Sequence, residues 1–448
     1  MTARILRIEL RRSTAPWVAV LVVALGAALF YLTTSRDGWW IALAVQERSM
    51  LLLLWPLALG AGAWQGRRER RERMEELISS TPLPQWRRVL PTAVAMAIGA
   101  VAGYLGTFSA GTGRTLPYAT YFSTGTVPVV AVGAVSMITA VWLGLAVGSR
   151  YPSTLTPTLL GVAAVAVQVG IRGVAGAGDT SRVGLLLPTM FGGPADSSME
   201  FAVLTARTNL SQVVWLAAVA ATGFLLFAAA SRRGRLAAIL PAVIGAAAAL
   251  PLQPGSEDAY EPDRDAIARV CTPDTPLVCV PRAHENALNS LRGPARQALA
   301  LLSATLPNAP TSVAEEYRQP HRSERQTVLV QPLRVSAGEF TDPPEDILWY
   351  LLDGAGTRLC DALDLVAEEQ LDRYLTARQV AAAWLLGHLP ANPPGPAPLS
   401  PATEPALRTL RGLPAGEQRA RVAALREAEL TCRPGDRLEI LTGPNGPR

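Results

Sequence analysis

Seven apolar stretches punctuate the first part of the chain, at 15–34, 48–65, 89–109, 127–148, 154–171, 212–230 and 236–252. Each is long enough, or nearly so, to cross the hydrocarbon core as a helix, which takes about 20 residues. The pattern predicts a polytopic bundle over residues 14–252. The last stretch, 236–252, is short and Ala-rich and is the weakest span of the set. The first lacks a small-residue cleavage site and is too long for the apolar core of a signal peptide, so it reads as a retained helix.

After 252 the pattern changes to that of a soluble domain, 253–448. Residues 253–266 are acidic and contain proline, as a linker would. Leu288, Leu291, Ala295, Ala298, Leu299 and Leu302 recur at helical spacing, with Gly293-Pro294 expected to kink or restart that helix. Residues 327–335 alternate enough for a strand, 371–389 and 416–432 read as helices, and 391–405 is a Pro-rich connector. The expected fold is therefore an all-α polytopic membrane bundle followed by a mainly α-helical, minor-β domain.

Charge separates the same two parts. Residues 1–252 carry a net +11 and residues 253–448 a net −6, and every basic side chain besides histidine is Arg, since the chain has no Lys. This bias is that of a GC-rich genome, of the actinobacterial kind. The basic character belongs to helix ends rather than to one soluble face, which argues against nucleic acid as a partner. Fifteen arginines fall in the segments before the first stretch, between the second and third, after the fourth and between the sixth and seventh; six fall in the alternate segments. The positive-inside rule then places the N-terminus in the cytoplasm. Seven spans would put 253–448 outside the cell, so the expected location is a bacterial inner membrane with an extracytoplasmic C-terminal domain.

The four cysteines agree with that side. Cys271, Cys279, Cys360 and Cys432 all lie in the second part, and disulfides persist only in an oxidising compartment. Cys271 and Cys279 enclose Thr-Pro-Asp-Thr-Pro as a tight loop. A local Cys271–Cys279 bridge would leave Cys360 for Cys432, although four cysteines permit three pairings.

Several chemistries are excluded or weak. A P-loop needs Lys, so this chain is not an ATPase of that type. His284-Glu285 resembles the start of H-E-x-x-H, but Leu288 stands where the second His should be, so no metal site and no catalytic residue are expected. The spans look nearly free of ionisable groups, unlike those of proton- or ion-driven carriers. Gln168, in the fifth span, reads as an interhelical hydrogen-bonding residue.

Two cytoplasmic segments stand out. In the first, 1–13, Arg4, Arg7 and Arg11 share one helical face and Ile5 and Ile8 another, as in a helix lying on the membrane surface. The second, 66–88, alternates Arg and Glu, with Glu69 placed to pair with Arg73. It carries the apolar stripe Met74, Leu77 and Ile78 and breaks at Ser79-Ser80-Thr81-Pro82. Such a helix can dock in a partner's groove, or be no more than a solvated connector.

This order of an Arg-rich surface helix, two spans, an Arg/Glu loop ending Glu-Glu-Leu-Ile-Ser-Ser-Thr-Pro, and four further spans resembles the permease subunit of type-2 ATP-binding-cassette (ABC-2) exporters. The resemblance covers about residues 1–235. It implies a six-span core over 14–235 and a coupling helix carried by Glu72, Arg73, Glu75, Glu76, Leu77, Ile78, Ser79 and Thr81. It also implies a re-entrant or amphipathic external segment over 173–211. The implied partners are a separate ABC ATPase subunit, which would bind the ATP and Mg, and a second permease copy in a homodimer or heterodimer, all within the lipid bilayer. The chain itself would bind no cofactor. The cargo would be an amphipathic lipid, peptide or antibiotic-like compound. The seventh span and the external domain depart from the family plan. The alternative expectation is a non-transporting membrane sensor or assembly factor whose external domain binds a ligand.

Overall fold

A computed structural model describes residues 3–33, 38–71, 84–175, 186–189, 199–255, 257–317, 324–330, 333–360, 368–390, 394 and 399–444. They form two units, Met1–Asp263 and Arg264–Arg448.

In the first unit the apolar runs fold as helices. They are α1 (Ala3–Arg12), α2 (Ala15–Thr33), α3 (Trp40–Arg71), α4 (Gln85–Thr115), α5 (Thr126–Arg150) and α6 (Thr156–Ala175). After the short strand β1 (Ala202–Leu204) come α7 (Ala206–Ala228), α8 (Arg232–Ala237) and α9 (Leu240–Leu252), then strand β2 (Tyr260–Pro262). Among the described residues six segments are long and apolar enough to cross a membrane: Ala15–Thr33, Trp40–Arg68, Gln85–Tyr118, Thr126–Arg150, Ala206–Ala228 and Arg232–Leu252. The stretch expected to be weakest, 236–252, is among them. The fifth expected span is instead the shorter one, with its apolar part at Thr156–Ile171.

Close approaches fix the directions of these helices. Gly99 meets Ala15 and Gly26 meets Thr107, so α2 and α4 run parallel. On α3, Gly62 and Gly66 press on Val141 and Leu145; on α5, Gly144 and Gly148 press on Leu59 and Ala63. Two G-x-x-x-G faces thus pack against each other, letting the backbones approach as larger residues would not. α7 runs parallel to α5, with Thr139 Oγ1 donating to Leu216 O at 2.9 Å and Gly223 against Leu143. α6 runs antiparallel to α3, with Gly60 beside Pro157 and Gly161 beside Pro56.

These directions gather α1, the end of α3, the start of α4, the α5–α6 turn and the α7–α8 turn at one end of the bundle. That end holds the Arg-rich segments. Since α5 finishes there and β1 lies at the opposite end, the intervening chain, which includes α6, must traverse the bundle. Residue 263 therefore lies at the end opposite α1.

At that opposite end β1 pairs antiparallel with β2, matching Ala202 with Pro262 and Leu204 with Tyr260. Ser211 bonds Gln253, and Ser123 Oγ donates to Asp263 Oδ2 at 2.6 Å. Residues 253–263, expected as part of a linker, are thus integrated in the first unit. The boundary moves from 252/253 to 263/264 because this segment finds backbone partners there.

The second unit begins with the short helix α10 (Arg264–Ile267), then strands β3 (Arg269–Cys271) and β4 (Leu277–Pro281) and helix α11 (Leu288–Thr305). Strands β5 (Ser312–Glu315), β6 (Thr327–Val330), β7 (Val335–Ser336) and β8 (Glu339–Phe340) follow. Helices α12 (Pro344–Leu352), α13 (Glu368–Leu386), α14 (Thr403–Arg411), α15 (Ala415–Leu430) and α16 (Arg437–Thr442) complete it. The sheet order is β3-β4-β5-β6, and the β4–β5 and β5–β6 pairs are parallel. α11 is the crossover between β4 and β5, as a parallel pair requires. Alternation along the strands sends Val278, Val280, Val313 and Val328 into the core with Leu291, Ala295, Leu299 and Leu302, and Cys279, Ala314 and Leu329 to the other face. α11 runs through Pro294 without the expected restart. Expected strand 327–335 is shorter, as β6, and β3 to β5 were not foreseen.

Candidate functional site

The charges that define a site in the first unit are Glu47 and Arg48, both fully buried. Residue 48 was expected to open the second span, and the spans to be nearly free of ionisable groups. α3 in fact starts at Trp40, so both residues lie about two turns inside the helix. Charges inside an apolar bundle are costly and mark function more often than stability.

Successive helical residues point about 100° apart, and these two diverge. Arg48 turns toward α7: its Nε and Nη2 donate to Pro188 O at 3.3 and 3.0 Å, and Nη1 donates to Gln212 Oε1 at 3.0 Å. It ties α3 to α7 and to the segment ahead of β1. Glu47 turns toward α4, facing the Tyr104 hydroxyl and the Phe108 amide. Neither its two oxygens nor the Tyr104 hydroxyl closes a hydrogen bond of normal geometry. Gly133 on α5 makes room for that hydroxyl, since a Cβ there would lie 2.0 Å from it. The arrangement offers a buried carboxylate beside a phenol, able to receive a proton or a cationic group, next to a guanidinium whose donors are engaged.

Gln168, expected to bond between helices, is buried with both amide atoms lacking partners. Nothing foreshadowed Glu47 and Arg48 beyond their place directly ahead of an apolar run.

The coupling residues Glu72, Arg73, Glu75, Glu76, Leu77, Ile78, Ser79 and Thr81 lie outside the described residues. So does most of 176–198. The described part of the expected external segment 173–211 holds the end of α6, the buried Pro188 region, β1 and the start of α7, capped by Thr205.

In the second unit both expected cysteine pairs are bonded. Cys271 faces Cys279 across the β3–β4 ladder, and Cys360 joins Cys432 at a Cα separation of 5.7 Å. Beside the second bridge the fully buried Glu429 accepts from Tyr374 Oη, Arg378 Nη1 and Arg437 Nε, each at 2.6 Å. Arg378 also grips Asp353 at 2.7 Å. Burial opposes its charge, but Asp353 and Glu429 outweigh burial and hold its pKa above the ordinary value. Burial, with Glu429, pushes the Tyr374 hydroxyl up to about 12. Gly354, in the left-handed region at φ +57°, packs so closely that a Cβ would lie 2.5 Å from the Arg378 guanidinium. This cluster is an architectural ion network.

His284 lies in a 3-10 turn, with Nδ1 2.8 Å from Glu315 Oε1, and that carboxylate also accepts from Leu333 N at 2.8 Å. Its partner is thus a sheet carboxylate rather than a second His. Among the described residues no three His, Cys, Asp or Glu side chains are placed to hold a metal ion. The chain matches no family model, no curated protein and no solved structure.

Proposed function

We propose that the chain is the membrane subunit of an ABC-2-type exporter, moving an amphipathic compound when a separate ATPase subunit hydrolyses ATP with Mg. The observation that carries this reading is the gathering of α1, the end of α3, the start of α4 and the α5–α6 and α7–α8 turns at one end of the bundle. An ATPase docks from one side only, and the segment with Glu72–Thr81 joins two helices at that end. The positive-inside rule makes this the cytoplasmic end. Residue 263 then leads to an extracytoplasmic domain, a side on which two disulfides persist. A pair of permeases, identical or similar, completes the transporter.

Two experiments test the reading. Leu77→Asp and Ile78→Asp are expected to abolish copurification of an ABC ATPase with this chain from its native cells while leaving membrane insertion intact. Normal copurification with both variants rejects the coupling assignment. A Ser256→Cys reporter is expected to react with an impermeant thiol reagent in intact cells; reaction only after lysis rejects the topology.

Glu47 favours a second reading, an ion-driven carrier, because the span interior does hold ionisable groups. It stays second because the partners of Arg48 are structural and no second carboxylate joins Glu47 among the described residues.

A further inference from the structure

Arg67, near the end of α3, is 7% exposed, and its Nε and Nη1 have no acceptor. Its guanidinium lies over the Trp64 ring, with Cζ 4.2 Å from the centroid. A cation–π contact supplies about 1–2 kcal/mol. That falls short of the several kcal/mol needed to strip water from an unpaired ion. The geometry therefore lacks an anion.

The surroundings indicate which anion. Leu53, Leu57, Gly60, Trp64 and Arg67 share one face of α3, by i,i+4 and i,i+3 spacing. Leu53 and Trp64 are exposed, at 44% and 48%. Between them Gly60 packs on Pro157 of α6, so the open apolar surface next to the desolvated guanidinium is the Trp64 ring, at the depth where membrane interfaces hold aromatic rings. The Arg-rich segments at this end carry fifteen arginines against five acidic residues. One of the five, Glu9, already accepts from Thr92 Oγ1 at 2.8 Å. A guanidinium fork matches phosphate oxygens.

We infer that Arg67 and Trp64 form a binding site for the phosphate of an anionic membrane lipid, whose acyl chain starts against the exposed Trp64 ring. The site requires only that the bundle sit in a bilayer and does not depend on export.

The test uses the full-length protein in nanodiscs of phosphatidylcholine with or without phosphatidylglycerol. Lipid retention is read by native mass spectrometry and stability by thermal melting. Wild type should retain phosphatidylglycerol and melt higher in its presence. Arg67→Gln should retain about tenfold less, a difference of about 1.4 kcal/mol, whereas Arg232→Gln, an exposed arginine at the same end, should stay within about twofold. In phosphatidylcholine alone Arg67→Gln should melt no lower than wild type, since it removes an unpaired charge. Equal retention by Arg67→Gln overturns the proposal. So does a lower melting point in phosphatidylcholine alone, which would mean a protein partner. Protection by inorganic phosphate equal to that by phosphatidylglycerol would also overturn it, by making free phosphate the ligand.

Discussion

The α-carbon of Gly148 on α5 packs directly against the backbone of Ala63 on α3, so closely that a Cβ would lie 2.0 Å from the Ala63 carbonyl oxygen. Gly148→Val must force the two helices apart. The expected cost is about 2 kcal/mol, within the usual range for overpacking, read as a lower unfolding midpoint in detergent. An unchanged midpoint would show that the helices part freely.

Glu47 and Tyr104 make the opposite prediction. Glu47→Gln keeps the shape and replaces a buried carboxyl whose contacts fall short of normal hydrogen-bond geometry, and Tyr104→Phe removes the hydroxyl that faces it. Neither variant should lower the melting temperature, and Glu47→Gln should raise it if the carboxylate is ionised in the fold. A loss of more than about 1 kcal/mol in either would reveal a stabilising hydrogen bond.

The two disulfides should differ in weight. The bridges close sequence separations of 8 and 72 residues. Loop-closure entropy assigns about 2.5 kcal/mol to the first and about 4 kcal/mol to the second. The Cys360→Ser/Cys432→Ser double variant should therefore melt well below the Cys271→Ser/Cys279→Ser one. The reverse order in calorimetry would contradict this ranking.

Acid should weaken the second unit partly through Glu427. Arg325 donates from Nη1 and Nη2 to its carboxylate at 2.7 and 2.6 Å, and these bonds lower its pKa from the ordinary 4.5. A depressed carboxylate contributes stability above its unfolded pKa and loses it as pH falls through the folded value. Wild type should outlast Glu427→Gln above 4.5, and the gap should close in more acidic solution. Both partners are substantially exposed, so salt should shrink the gap. A gap independent of pH would place the effect elsewhere.

Much of the bundle was legible because hydropathy reports length and composition directly: the runs that became α2, α4, α5 and α7 are plain in the sequence. What hydropathy misreads is a charge that lies inside. Glu47 and Arg48 look like the end of a loop, and only the partners of Arg48, at Pro188 and Gln212, reveal them as interior. Pairings between distant segments were equally hidden. Strands of three residues such as Ala202–Leu204 and Tyr260–Pro262 carry too few positions for a period to register, and their alignment depends on the helices between them. The cysteine pairs were easier, because the eight-residue loop leaves little choice for the rest. Glu429 shows the converse: one of three acids in a charged helix, it reads as solvent-facing until Tyr374, Arg378 and Arg437 converge on it.

The short ladder between β1 and β2 has a mechanical consequence. α7 and α9 are joined through the turn at one end and laced together by strands at the other, so the hairpin is a closed frame rather than an open fork. Tension entering at Asp263 meets the ladder and the Ser123 contact before it can reach α9. The load is carried first by backbone hydrogen bonds in the cap, and the pair of helices tilts as one piece instead of unzipping.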